Sequence, residues 1–247
     1  MKQIDQIIKG IREKISSLPK KEMNEAEVAF VQHYLGSDRR VLGAKTKDVS
    51  AIAGNVLKEN SGLKIEDLIQ LLNGLFGADN FEEYVVGGKI FTLIKPEVRS
   101  KILFDQLERW LSVAKGWVEV DVICQSAYTG KEVLERWSDW ETAINKFSRS
   151  KIISLRRASL VLQTKPVKEI DDVKLRRLAF LTIDKLKGEK AVLITKAISW
   201  LLRNLTVQNK EEIRNYLLMN ESTLPCIAFR ETMKKIETGR KITKKGD

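Results

Sequence analysis

"SLRRASLVLQTK" at residues 154–165 and "ITKAISWLLRNL" at residues 194–205 decide how this chain is read. Each runs basic residue, alanine, two further residues, an apolar position and a polar end. Arg157–Ala158 in the first corresponds to Lys196–Ala197 in the second, a shift of 39 residues. A fainter copy, "WVEVDVICQSAY" (117–128), precedes the first by about 36 residues. Periods in the high thirties to low forties belong to repeats of two antiparallel helices, which bury their apolar faces only by stacking on neighbouring repeats. The expected fold is therefore all-α: a HEAT-like helical-repeat solenoid of stacked antiparallel helix pairs with a concave basic face. The second helix of each pair would line that face, so that Asp121, Arg157 and Trp200 share one wall.

The rest of the sequence agrees with a helical reading. Amphipathic windows recur at 3–9, 24–35, 47–58, 64–75, 81–94, 98–113, 116–128, 132–147, 151–164, 172–186, 190–206, 210–219 and 225–237. Pro96, Pro166 and Pro225 fall in or at breaks between windows, and Gly43, Gly62, Gly77, Gly130 and Gly188 mark others. No stretch alternates with period two between turn signals, so strands are not expected. One helical domain over residues 1–237 is expected, followed by a basic, flexible tail, "TGRKITKKGD" (238–247).

Composition narrows the functional classes. With 247 residues, 43% hydrophobic and 31% charged, the chain can bury a core and is not of the disordered class. It lacks the ~18 consecutive apolar residues of a membrane span. The start, "MKQIDQIIKGIREKI", is charged at helical spacing and has no apolar signal core, which makes a cytoplasmic protein the expectation. Cys124 and Cys226 lie in apolar surroundings and read as small core residues. His33 is the only histidine and reads as a helix-surface residue. One histidine and two distant cysteines cannot assemble a zinc site, and no nucleophile signature accompanies His33. No Gly-rich phosphate loop is present; "RRVLGAK" is only a basic turn. The formal net charge is +11, and residues 146–177 hold ten Lys/Arg against Glu169, Asp171 and Asp172. A field of that sign attracts polyanions, nucleic acid above all.

One carboxylate breaks the apolar pattern. In "AKGWVEVDVICQSA" (114–127), Trp117, Val120, Asp121 and Cys124 share a helix face. Burying Asp121 there without a partner costs several kcal/mol or forces it neutral. Taken by residue type alone, Trp117 and Trp200 read first as packed core aromatics, and Arg157 as a solvated charge near a helix end. Trp110, Trp137 and Trp140 read as packing residues.

Several short motifs, in order, resemble the HEAT-like-repeat DNA alkylation repair glycosylases. "YLGSDRRVLGAKTKDV" (34–49) is similar to the segment in which a tyrosine precedes a Leu-Gly turn. "KGWVEVD" (115–121) is similar to the Trp-x-x-x-Asp helix, "LRRASL" (155–160) to the Arg-Ala helix start, "KAISWLLRNL" (196–205) to the Lys-Ala…Trp segment and "FRETMKKI" (229–236) to the closing helix. The resemblance covers about residues 24–237. It departs from the family at Gly116–Trp117–Val118, where relatives commonly carry two tryptophans and an aspartate before the matching aspartate.

The resemblance implies an alkylpurine DNA glycosylase, monofunctional and free of cofactor and metal. Such an enzyme hydrolyses the N-glycosidic bond of cationic N3- or N7-alkylated purines in duplex DNA and leaves an abasic site. It implies Asp121, Trp117 and Trp200 as catalytic residues, with Arg157 and Tyr34 on the DNA; Arg156, Lys196 and Arg203 are the neighbouring cations grouped with them. Asp121 would face the cationic sugar of an oxocarbenium-like transition state, as in glycoside hydrolysis. The indoles would hold the charged nucleotide by cation–π attraction, worth ~0.5–2 kcal/mol, and Arg157 would clamp a phosphate. The expected partner is double-stranded DNA carrying alkylated bases, bound by a monomer. The alternative is a HEAT-like DNA-binding or protein-interaction scaffold without catalysis.

Overall fold

A computed structural model describes residues 2–240. All its regular elements are helices; among the described residues β-pairing is limited to isolated bridges, Lys20 with Ala44 and Arg40 with Asn80. The chain divides after Ala127 into two compact units. The basic tail expected from residue 238 lies outside the described residues from position 241 onward.

The first unit holds α1 (Lys2–Ser17), α2 (Glu25–Leu35), α3 (Thr46–Glu59), α4 (Ile65–Phe76), α5 (Phe81–Leu93), α6 (Pro96–Arg99), α7 (Phe104–Ser112) and α8 (Trp117–Cys124). Helix α5 is its centre and packs on α1, α3, α4 and α8. Its sequence explains that position: Tyr84, Val85, Val86, Ile90 and Phe91 are buried around the whole helix. Gly88 has room only for hydrogen, since a Cβ there would run into the side chain of Val122 on α8. Asn80 caps the helix by accepting from the Glu83 amide at 2.8 Å. The basic turn "RRVLGAK" is fastened to α5 by Glu82. Its buried carboxylate accepts from the backbone N–H groups of Leu42 and Gly43, each at 2.9 Å to Oε1.

The second unit holds α9 (Gly130–Glu135), α10 (Trp137–Ser148), α11 (Ile153–Glu169), α12 (Val173–Leu186), α13 (Val192–Leu205), α14 (Lys210–Met219) and α15 (Cys226–Thr238). Here the helix pairs stack: α11, α13 and α15 pack side by side, while α10 and α12 pack on each other and α10, α12 and α14 pack on those three. The two copies of the repeat that defined the sequence reading are α11 and α13, packed together. Ala158 and Ala197, equivalent in the repeat, are both fully buried.

Some boundaries differ from the sequence reading, each for a local reason. The window 98–113 is divided into α6 and α7, because Pro96 starts a single turn whose end is held by buried Arg99, donating to the Ile94 carbonyl at 2.8 Å. The window 132–147 is divided where the backbone leaves the helix at Arg136, with φ −120° and ψ 40°. Pro166 lies inside α11 and does not end it. In the last turn a proline removes one amide donor, and the segment is otherwise sealed, with Thr164, Pro166 and Val167 all buried. Cys124 is buried as expected, whereas Cys226 is exposed at the start of α15, and neither is in a disulfide. Trp110 and Trp140 are buried packing residues, with the Trp110 indole N–H on Asn73 Oδ1 at 2.8 Å.

Replacing Glu82 by alanine strands at least two backbone donors of the 41–44 turn. The Glu82→Ala protein is expected to lose about 2–4 kcal/mol in urea unfolding, as removal of a buried acceptor from two or more donors costs.

Candidate functional site

In the first unit the candidate residues collect where the end of α2 meets the start of α8. Helix α2 opens with a capping box, Asn24 and Glu27 each accepting the other's backbone N–H. It closes at Gly36, whose φ of 68° is left-handed and turns the chain sharply toward Ser37. Of its eleven residues only Leu35 is buried. Phe30 and Tyr34, one turn apart, are 70% and 62% exposed. The helix is thus an aromatic-bearing arm held by its end.

Three contacts hold that end. The Trp117 indole N–H donates to the Tyr34 carbonyl at 2.7 Å. The Tyr34 and Trp117 rings meet edge to face, with centroids 5.6 Å apart and planes at 88°, a favoured aromatic geometry. Gly116 completes the clasp, because a Cβ at that position would overlap the Leu35 carbonyl. The departure from the family pattern at Gly116 therefore has a steric cause.

Beneath the clasp lies a charged pair that the sequence reading did not single out. Glu119, between Trp117 and Asp121 on α8, is fully buried. Its carboxylate accepts from Arg39 Nε at 3.1 Å, from the Lys115 amide at 2.9 Å and from the Ser37 hydroxyl. Arg39 also donates to the carbonyls of Ala78 and, at 3.0 Å, Val113. Its guanidinium sits 4.7 Å from the centroid of the Tyr84 ring. Burial, then the nearby Glu119 carboxylate, raises the Tyr84 phenol well above its ordinary pKa, while its O–H donates to the Trp110 carbonyl at 3.1 Å. The only sequence signal for Glu119 was a second acid on the same short helix. Asp121, one turn after Trp117, is 6% exposed, so the carboxylate questioned in the sequence does lie in a buried setting.

In the second unit Arg157 is 4% exposed on α11, and its Nη1 donates to the Leu193 carbonyl at 2.6 Å. Trp200 is half-buried on the neighbouring α13, and Lys196, one turn before it, is exposed. The other two arginines proposed from sequence as DNA-binding are engaged inside the unit. Arg156 grips both oxygens of Glu189, at 2.7 and 3.1 Å, and donates to the carbonyls of Ser150 and Lys151. Arg203 pairs with Glu231 of α15, which also accepts from Ser199 at 2.6 Å. Burial holds the Arg203 pKa below its ordinary value, and the Glu231 charge opposes that shift. A phosphate at either arginine would have to compete with a carboxylate already in place.

The basic run 146–177 therefore divides. Arg156, Arg157 and Arg176 have internal partners, Arg176 through Asp171 and Glu212. Lys146, Arg149, Lys151, Lys168, Lys174 and Arg177 are exposed. Lys185 and Arg149 form a like-charged pair: burial first, and then the Arg149 charge, lowers the Lys185 pKa. Among the described residues no group of three or more His, Cys, Asp or Glu could hold a metal ion, and no described helix is long and apolar enough to cross a membrane. His33 is exposed on α2.

The pairing of Arg203 with Glu231 can be separated from any role on DNA. Glu231→Ala is expected to destabilise the protein by about 1–3 kcal/mol, because it strands a half-buried guanidinium. An Arg203→Met/Glu231→Leu double variant should stay within about 1 kcal/mol of the parent. Denaturant midpoints of the three proteins check both figures.

The sequence pattern of a family described as "DNA alkylation repair enzyme" matches residues 17–236. Among solved structures, the chain is similar to a predicted DNA alkylation repair enzyme from Enterococcus faecalis, with 20% sequence identity and a TM-score of 0.69. That alignment covers 90% of this chain and all of the other. No curated protein sequence matches the chain.

Proposed function

This chain belongs to the DNA alkylation repair enzyme family, and from that premise we propose that it is a monofunctional glycosylase for cationic N3- and N7-alkylated purines in duplex DNA. The observation that carries the reading is Asp121, a nearly buried carboxylate one helical turn from an indole set edge-on against an exposed tyrosine. A protein that only grips phosphates gains nothing from an acid in such a place. A glycosylase does.

Alkylation at N3 or N7 gives the purine a formal positive charge, and the base then leaves as a neutral molecule. The sugar left behind carries the cation. Asp121 stabilises that charge as it develops and orients the water that adds to the anomeric carbon. The water gives up one proton, the sugar gains a hydroxyl, and the product is an abasic site. Trp117 and Trp200 present indole faces to the charged nucleotide, and Tyr34 packs against the sugar or backbone. The exposed Lys196 acts on phosphate oxygens, whereas Arg157, buried and donating to the Leu193 carbonyl, is assigned to the fold. The protein acts as a monomer in the cytoplasm, without a cofactor.

Exposure refines which cations meet the DNA. Arg149 and Lys151 are exposed and are assigned to phosphate contacts. Arg156, bound to Glu189, is assigned to the fold instead of the DNA.

Release of 7-methylguanine and 3-methyladenine from methylated duplex DNA tests the chemistry. Wild type should release both, and Asp121→Asn should be slower by roughly 10²–10³-fold. Wild type that binds duplex DNA but releases nothing would leave the scaffold reading in place of the enzyme. Salt titration of duplex affinity tests the contacts. Arg149→Ala and Lys151→Ala should each flatten the log–log slope by about one unit, whereas Arg156→Ala should leave it unchanged.

A further inference from the structure

We infer that Arg39 and Glu119 are positioning residues for the aromatic pair: their buried ion pair fixes how closely the α2 arm sits on the start of α8, and thereby how the Tyr34 and Trp117 rings are presented. The inference rests on the glycosylase reading for what the rings do, but not for how they are held.

The argument begins with what α2 lacks. An amphipathic helix is ordinarily set in place by an apolar stripe, and this one buries Leu35 alone. Its Phe30 is exposed, and the ring contact that Tyr34 makes, with Trp117, lies at the helix end. Orientation must then come from its end, and the segment that follows is where the buried polar contacts are concentrated. Ser37 and Arg39, two and four residues past the helix, both donate to Glu119. Ser37 also accepts from the Arg39 amide at 3.3 Å, which closes the turn on itself. The third donor to Glu119 is the amide of Lys115, just before α8. A single carboxylate thus binds the exit of α2 and the entrance of α8, and Lys115 pairs with Asp38 on the outer side.

Burial makes the arrangement exacting. A guanidinium and a carboxylate shielded from water attract strongly but only in good geometry, and neither tolerates loss of the other. Arg39 is also fixed by the Ala78 and Val113 carbonyls and by the Tyr84 ring, so it cannot follow Glu119 elsewhere. If either charge is removed, the remaining one is satisfied most readily by letting water into the 36–39 turn. That movement carries Leu35 and Gly36 away from Gly116 and stretches the Trp117-to-Tyr34 hydrogen bond. Reacting groups displaced by an ångström can lose two orders of magnitude in rate. Neither Arg39 nor Glu119 touches the DNA in this scheme; they act through the two rings.

The test uses the full chain with Glu119→Gln and Arg39→Lys, each made with and without Trp117→Phe so that the Trp117 emission is obtained by difference. Both variants are expected to shift that emission to longer wavelength and make it more quenchable by acrylamide. Single-turnover release of 7-methylguanine should fall by about tenfold or more, while affinity for undamaged duplex stays within about threefold. A lowered melting temperature with unaltered Trp117 emission and release rate would overturn the inference. Where these variants fail to fold, Ser37→Ala, which leaves both charges in place, must shift the emission in the same direction; a wild-type emission there would equally overturn it. If the wild type releases no base, the glycosylase reading is what fails, and the Trp117 emission still decides the positioning role.

Discussion

Glu119 is sealed from water, and the chain around it closes only because Arg39, Ser37 and the Lys115 amide all turn donors toward it. Everything distinctive in the first unit follows from that requirement. Arg39 must reach inward, so the turn after α2 is drawn down. The turn brings Leu35 against Gly116, and Gly116 sets Trp117 beside Tyr34. The second unit has a half-buried counterpart in Arg203 and Glu231, which join α13 to α15. Glu119 lies two residues from Trp117 and Arg203 three from Trp200, each in a carboxylate–guanidinium contact shielded from water, fully in the first case and in part in the second. Such pairs are poor sources of net stability, since burial cancels much of their attraction. Their value is directional: an apolar contact tolerates sliding by an ångström, and a guanidinium–carboxylate contact does not.

The periodicity of the chain made its helical class legible, because repetition at helical spacing records which faces are buried. The alignment of Arg157–Ala158 with Lys196–Ala197 identified two helices that do pack together, with both alanines inside. Helix ends were less legible where one residue controls them. Arg136 divides a window through its backbone angles alone, and Pro166 continues α11 despite the amide donor it removes, within a buried segment. At the site, Trp117 and Asp121 stood out because a carboxylate interrupted an apolar stripe. Glu119 was not seen, for its partner is 80 residues away in sequence, and helical spacing carries no information about pairs that distant. The sequence also does not distinguish an arginine that binds a carboxylate from one that awaits a phosphate. That difference is one of tertiary neighbours.

A net charge of +11 overstates neither the attraction for DNA nor its location, provided that the internally neutralised cations are set aside. Arg39, Arg156, Arg176 and Arg203 all face carboxylates. Each acts locally as half of a neutral pair, and its long-range field is largely cancelled. The field available to a polyanion comes from residues such as Arg149, Lys151, Lys168 and Arg177, which stand on the exposed side of the basic run. Arginine suits the buried positions because its planar fork satisfies two acceptors at once, and lysine suits solvent because its ammonium is readily hydrated. The division of the two residue types in this chain largely follows that chemistry.

The one departure from the family pattern then acquires a physical meaning. At Gly116 the absence of a side chain is what lets the Leu35 carbonyl approach. An indole at that position and the present seat of α2 exclude each other. A tyrosine-bearing arm lies directly on Trp117 instead. In the proposed function, an arm so placed would cover a nucleotide from the protein surface without a pocket being built for it. The carboxylate that matters to the local fold is Glu119, which faces Arg39 and the interior.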